Sequence, residues 1–284
     1  MTIFCSAVAA CVERSGRPPT PPPPVRISVI IPALDECAVI GDAIDRVRDG
    51  DPWEIIVVDG HSLDATAAVA ESHGARVVVS DQGRGRQMNA GAAVATGDVL
   101  LFLHADTALP AGFTSHVARA MTAATAGRAP APGPRPRIVA GAFRLRIDAP
   151  NTSFRLIEAA VYRRSRWLGM PYGDQAIFLR TETFRTVGGY PEVDAMEDFA
   201  MMLRLRKLGR ITIVPESVTT SARRWLSGGV WRTTLMNQLC VWAWLAGVSA
   251  TRIASWRSWR QNAAGRGTKT LRHAPAAVPQ CHRA

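Results

Sequence analysis

Ile27-Ser28-Val29-Ile30-Ile31-Pro32-Ala33-Leu34-Asp35-Glu36 is an apolar run that ends on acid, and the pattern returns twice within 107 residues. Glu54-Ile55-Ile56-Val57-Val58 leads into Asp59-Gly60-His61-Ser62-Leu63-Asp64, and Val99-Leu100-Leu101-Phe102-Leu103 leads into His104-Ala105-Asp106-Thr107. Short Val/Ile/Leu runs without alternation read as strands buried on both faces, as in a parallel sheet. Ligands of open α/β sheets bind beyond the carboxyl ends of the strands. Three acidic strand ends therefore gather carboxylates along one edge, where a metal ion, a ribose or a base would be held.

The segments between these runs fit the same architecture. After the first strand, Val39, Ile40, Ala43, Ile44 and Val47 share one helical face. A second helix is expected from Ser62 or Leu63, a third strand at 77–80, and a fourth at 98–103. The turn Gln82-Gly83-Arg84-Gly85-Arg86 opens a helix through Ala95. Strand and helix alternating at this spacing give right-handed parallel crossovers. Residues 126–137 are rich in Pro, Ala, Gly and Arg and read as a loop. Beyond them Phe143, Leu145 and Ile147 alternate with Arg144, Arg146 and Asp148, a half-exposed strand. A helix at 151–167, a strand at 176–179, a helix at 197–208 ended by Gly209 and a strand at 211–214 complete the body. There are no internal repeats.

Charge is unevenly placed. Through Glu216 the chain carries 24 basic against 23 acidic side chains, and after it there is no acid and ten basic residues. The excess of +11 is thus almost wholly C-terminal, which speaks against nucleic acid as the partner of the body. Five cysteines, with no C-x-x-C, fit reduced thiols in a cytoplasmic protein. Met1 to Cys11 lacks a basic start and is followed by Glu13 and Arg14, unlike a signal peptide. Arg17 to Pro24 is proline-rich and reads as extended.

Taken in order from Ser28 to Trp225, these motifs resemble the inverting family-2 glycosyltransferases, and most of all a small bacterial branch named for radical-SAM and selenoprotein-like domains. The resemblance implies a GT-A-type fold, with a Rossmann-like, mostly parallel central sheet flanked by helices and followed by C-terminal helices. It divides the chain into a proline-rich extension (1–25) and a catalytic domain (26–225). Within that domain lie a nucleotide half (26–125) and an acceptor half (138–225). A helical segment (226–262) and a basic tail (263–284) follow.

The resemblance also assigns roles. Its metal-binding Asp-x-Asp aligns with His104-Ala105-Asp106, so Asp106 is the expected ligand of Mg²⁺ or Mn²⁺, hard cations that a diphosphate needs. Helix capping by Asp106 is the bland alternative. Pro32, Asp35, Glu36, Asp59 and Ala105 are expected around the donor nucleotide, where carboxylates accept bonds from ribose or base. Asp59-Gly60-His61-Ser62-Leu63-Asp64-Ala65-Thr66 resembles the family's Asp-Gly-x-Ser-x-Asp-x-Thr, with Asp64 as suited to capping as to contact. Arg84 and Arg86 oppose a helix dipole at its start, which an anionic ligand would explain, and Asn89 follows on the same helix. On the acceptor side the resemblance places Asp174, Gln175, Glu197, Arg224 and Trp225, and makes Asp198 the general base. Turn and capping readings exist for the acids, and an Arg/Trp pair packed at the domain edge is the alternative for the last two.

Six of the eight tryptophans follow residue 220, among arginines and without acid. This suits an interfacial segment on anionic lipid, while a helix packed on the body competes equally. The fully apolar part, Leu239 to Val248, is far short of the ~20 residues needed to span a bilayer. The expected partners are a nucleotide-diphosphate sugar and an acceptor that is lipid or small molecule, with no nucleic acid. The expected place is the cytoplasm or the inner membrane face. Two rivals remain. A nucleotidyltransferase would carry a glycine-rich basic loop after the first strand, where this chain has Pro32-Ala33-Leu34-Asp35-Glu36. An inactive basic membrane- or nucleic-acid-binding protein would depend on the C-terminus alone.

Overall fold

The computed structural model describes residues 24–122 and 137–256. The proline-rich extension, the 126–137 loop and the basic tail fall almost entirely outside the described residues. The first half contains β1 (Ile27–Ala33), α1 (Ile40–Arg48), β2 (Glu54–Asp59), α2 (Thr66–Ser72), β3 (Arg76–Val79), α3 (Arg84–Val94), β4 (Val99–Phe102), β5 (Thr107–Ala108) and α4 (Phe113–Thr122). The second contains β6 (Ile138–Asp148), α5 (Thr152–Leu168), a 3₁₀ turn (Gly173–Gln175), β7 (Phe178–Arg180), α6 (Thr181–Thr186), α7 (Glu197–Leu208) and β8 (Arg210–Ser221). α8 (Arg223–Gly228) and α9 (Val230–Leu245) follow.

All eight strands form one sheet in the order β3-β2-β1-β4-β7-β6-β8-β5. Pairing is parallel from β3 through β4, then antiparallel at β4–β7 and β6–β7. This is the mixed, mostly parallel α/β sheet the sequence predicts. The non-alternating runs behave as expected, because alternate residues enter two separate cores. Ile27, Val29, Ile31, Ile55, Val57, Val99 and Leu101 pack on one face, and Ile30, Ile56, Val58, Leu100 and Phe102 on the other. Burial of a strand on both faces leaves no room for a charged side chain inside it, so the acids come where the strands end; buried Ser28 is accommodated because its hydroxyl donates to Glu54.

Within the sheet the halves are joined twice. β7 pairs with β4 at the centre, and two-residue β5 crosses over to pair with β8, Thr107 with Thr220 and Ala108 with Thr219. β8 is longer than the expected four residues, running twelve. It continues past Pro215 because β6–β8 pairing breaks register between Ala142 and Arg144, leaving Pro215 outside the paired positions. Such bulges are where a strand tolerates proline.

α3 lies unusually close to the sheet. A Cβ on Gly91 would sit 2.5 Å from Ile30 Cγ2 and 2.9 Å from Val58 Cγ2. One turn earlier, buried Gln87 donates to the carbonyls of Ala33 (2.8 Å) and Val58 (2.9 Å), tying together the ends of β1 and β2 where the acidic loops begin. Gln87→Leu keeps the volume and strands both carbonyls. It is expected to cost about 2–4 kcal/mol, read as a lower urea midpoint; an unchanged midpoint would remove Gln87 from the framework.

Candidate active site

The loops after β1 and β2 are laced together by their own side chains. Asp35, at φ 54°, accepts the Leu63 N–H (2.8 Å), while the Asp35 N–H donates to Ser62 Oγ (2.9 Å). Asp59 accepts from the Ser62 N–H (3.0 Å) and hydroxyl. Asp64 accepts from the Thr66 N–H (2.9 Å), the Thr66 hydroxyl and the Cys37 N–H (3.2 Å), and Thr66 Oγ1 accepts the Glu36 N–H (2.8 Å). These bonds occupy 60–65 as a turn, so α2 starts at Thr66 and not at Ser62. Asp59 is buried and Asp64 caps, while Asp35 stays exposed at the rim.

Glu36 and Asp106 remain as a facing pair. Arg223 Nη2 stands 3.8 Å from Glu36 and 3.9 Å from Asp106. Asp106 is held there by β5–β8 pairing, its carbonyl accepting the Ser221 N–H (3.1 Å). Burial pushes the Glu36 carboxyl above the usual range, against the pull of Arg223. Arg223 is exposed, and such pairs are worth at most about 1 kcal/mol, so the guanidinium marks a place for positive charge that another cation can take. Arg223 is the residue the motif reading missed, one position before the expected Arg224. The Arg224 side chain lies outside the described residues.

A second pocket lies across the sheet end, a cavity of about 100 Å³ lined by residues of both halves. Arg84 and His104 come from the first half; Tyr172, Gly173, Asp174, Glu197 and Asp198 from the second; Asn237, Cys240 and Val241 from α9. The turn before β7 is fixed from beneath. Arg164 lies over the Tyr172 ring at 3.6 Å and donates to the Met170 carbonyl (3.0 Å). Gln175 accepts from Ser165 Oγ (2.9 Å) and donates to the Phe143 carbonyl (2.9 Å).

Asp198 sits in the first turn of α7. Its Oδ2 accepts the Gly173 N–H (3.0 Å), and its Oδ1 is buried without a hydrogen-bond partner. Burial, reinforced by neighbouring Glu197, raises its pKa to about 7 against the pull of Arg84. Arg84 in turn pairs with Glu197 at 3.7 Å. A carboxylate poised near neutrality in a cavity is suited to taking a proton.

Several expected contacts are corrected. Trp225 is buried against Phe154, ring centroids 6.3 Å apart, so it is core and not groove wall. Gln175 is fully buried and spends its amide on the framework. Asn89 bonds both backbone groups of Tyr190 (2.8 and 2.9 Å), clamping α3 to the loop after α6. The Ala105 methyl packs in the core, and Pro32 lies within β1 opposite Val58. Arg86 pairs with exposed Glu192 at 3.7 Å. The anions that relieve Arg84 and Arg86 at a helix start are thus protein carboxylates. Trp225, Gln175, Asn89 and Ala105 are thus committed to core and framework.

Asp106 suits a hard cation, since Mg²⁺ and Mn²⁺ take one or two protein carboxylates and fill the rest of the shell with water and phosphate. Among the described residues no three His, Cys, Asp or Glu side chains cluster to hold a metal alone. Residues 28–180 match Glycosyl transferase family 2, more than half of the chain, and the chain belongs to that family. Glucosyl-3-phosphoglycerate synthase of Mycolicibacterium paratuberculosis is 38% identical over 96 residues, 30% of this chain and 29% of the relative. The chain spans only about a third of the length of the curated relatives it matches. The Mycobacterium tuberculosis enzyme of the same name, solved with Mn²⁺, UDP-glucose and phosphoglyceric acid, is 22% identical with a TM-score of 0.48, over 68% of this chain and 70% of that one. S. aureus TarS 1–349 shares the fold at a TM-score of 0.52 and 15% identity, over 87% of this chain and 75% of that one.

A raised pKa in the folded state favours the protonated native form. Asp198 therefore contributes stability below its ordinary value of 3.8, and loses it as pH rises to about 7. Asp198→Asn is expected to be more stable than wild type at pH 8, by on the order of 2–4 kcal/mol, with the gap closed at pH 4. Thermal unfolding at the two pH values checks this; equal gaps would mean an ordinary carboxylate.

Proposed function

We propose that the chain transfers a sugar from a nucleotide-diphosphate sugar to an acceptor hydroxyl, with inversion at the sugar carbon. The observation that carries this reading is Asp198: a buried carboxylate with an unpartnered oxygen, in a small cavity that Arg84 and His104 of the first half also line. In this reading Glu36 and Asp106 face the donor side and Arg223 moves from them to the diphosphate. Exposed Asp35 meets the nucleoside, and Asp59 and Asp64 hold its loop in shape. Asp174 and Glu197 border the acceptor, and Asp198 takes its proton as the oxygen attacks.

A divalent cation at Asp106, Mg²⁺ or Mn²⁺, supplies neutralisation of the charge left on the departing diphosphate. The protein's own contribution is orientation, because in-line attack needs the hydroxyl, the sugar carbon and the leaving group aligned. Within the family, motif resemblance supports placement in the radical-SAM-associated bacterial branch.

The chain also fits a peripheral place on an anionic membrane. Trp231, Leu235, Leu239, Trp242 and Leu245 project from one face of α9 and are all exposed. Arg223, Arg232 and Arg252 lie along the same segment, and no acid follows Glu216 in the sequence. Among the described residues no helix is long and apolar enough to cross a membrane, so α9 would lie in the interface plane.

Three experiments test the transfer reaction and a fourth the membrane contact. A thermal-shift screen of UDP-, GDP- and dTDP-sugars with Mn²⁺ identifies the donor, since binding raises apparent stability. Asp106→Ala is expected to abolish Mn²⁺-dependent binding of that nucleotide; unchanged affinity would sink the assignment. Asp198→Asn is expected to bind donor normally while turnover falls about 10²–10⁴-fold, and normal turnover would remove Asp198 from the chemistry. For the membrane, wild type is expected to float with phosphatidylglycerol-rich vesicles and Trp231→Ala/Trp242→Ala to remain below. Equal flotation of both proteins would contradict the surface.

A further inference from the structure

Three charged side chains meet just past the ends of β1, β4 and β8: two acids, Glu36 and Asp106, and one guanidinium. Arg223 Nη2 lies 3.8 Å from Glu36 Oε2 and 3.9 Å from Asp106 Oδ2. Among the described residues these two acids are the ion-pair partners of Arg223.

The backbone of this corner is fixed. The Ser221 N–H donates to the Asp106 carbonyl (3.1 Å), and Ala222 and Trp225, which flank Arg223, are buried. The side chains differ. That of Arg223 is 60% exposed, against 32% for Glu36 and 24% for Asp106, so the guanidinium is the one with room to swing. An exposed pair of this kind contributes little to stability, and Arg223 can leave the acids without loosening the fold.

Its position has a consequence for any cation that binds Asp106 directly. The guanidinium already stands beside the oxygen that would be the ligand, and like charges at such range repel. A diphosphate relieves the conflict, because a guanidinium pairs with phosphate oxygens as a two-pronged fork. We infer that Arg223 is an internal counter-cation that competes with the divalent metal for Asp106, and that the donor diphosphate couples the two by drawing the guanidinium away. This rests on the reading of Asp106 as the metal residue of the donor site. Free metal then binds weakly, while metal and diphosphate bind together. Coupling is reciprocal, so the metal raises nucleotide affinity by the factor that the nucleotide raises metal affinity.

Mn²⁺ binding to the full chain without nucleotide, followed by the paramagnetic resonance of the free ion, tests this. Arg223→Ala is expected to bind Mn²⁺ at least threefold more tightly than wild type. The further tightening caused by the nucleoside diphosphate from the thermal-shift screen should shrink in that variant. Arg223→Lys keeps the positive charge and is expected to stay within twofold of wild type. A residue that only holds the fold, or only binds phosphate, would leave nucleotide-free Mn²⁺ affinity unmoved. An unchanged or weaker affinity in Arg223→Ala, or an equal rise in Arg223→Lys, would overturn the inference. Failure of the underlying reading shows separately: Arg223→Ala/Asp106→Ala would then keep the gained affinity, which puts Mn²⁺ elsewhere than Asp106.

Discussion

The Gly173 N–H bond to Asp198 is the contact on which the site depends. Asp198 is carried by α7 and Gly173 by the turn before β7, and neither helix nor turn would hold the buried carboxylate in a 100 Å³ cavity alone. The bond fixes one oxygen of Asp198 and leaves the other buried and without a partner. Arg164, Ser165 and the Phe143 carbonyl keep the turn in place from below. A buried carboxylate so held costs stability, and that cost is the source of its basicity near neutral pH.

The sheet brings the two halves of the reaction together. Its parallel strands deliver acids to one edge because two cores exclude charged side chains until the strands end. β4–β7 pairing places the second half beside that edge, and β5–β8 pairing carries Asp106 next to the residues that lead into Arg223. Gln87 and Asn89 act from the same helix, one on the strand ends and the other on the loop leading to α7. α9 closes the cavity with Asn237, Cys240 and Val241 while its opposite face looks outward. One helix thus lines the cavity on one face and exposes an apolar strip on the other.

Much of this was legible in the sequence. Buried strands announce themselves by continuous Val/Ile/Leu, and α7 was placed to the residue because an acidic pair opens it and Gly209 closes it. Which functional-looking side chains meet a ligand was less legible. Asp59, Asp64, Gln175, Asn89 and Trp225 sit in the expected motifs but are spent on turns, clamps and core. A motif records that a residue type is needed at a position, and a structural need leaves the same trace as a chemical one. The meeting of Arg223 with Asp106 depends on a strand pairing between residues more than a hundred apart in sequence (Thr107 with Thr220), which local pattern does not encode.

The central claim is that Asp198 works as a base whose affinity for protons is set by burial and by Glu197. The pH dependence of kcat for donor turnover tests it most directly. The account predicts an acidic limb near pH 7, activity falling as Asp198 protonates, and a shift of that limb to lower pH in Glu197→Gln, where the like charge is gone and Arg84 remains. A limb in the ordinary carboxylate range, or one indifferent to Glu197, would contradict it.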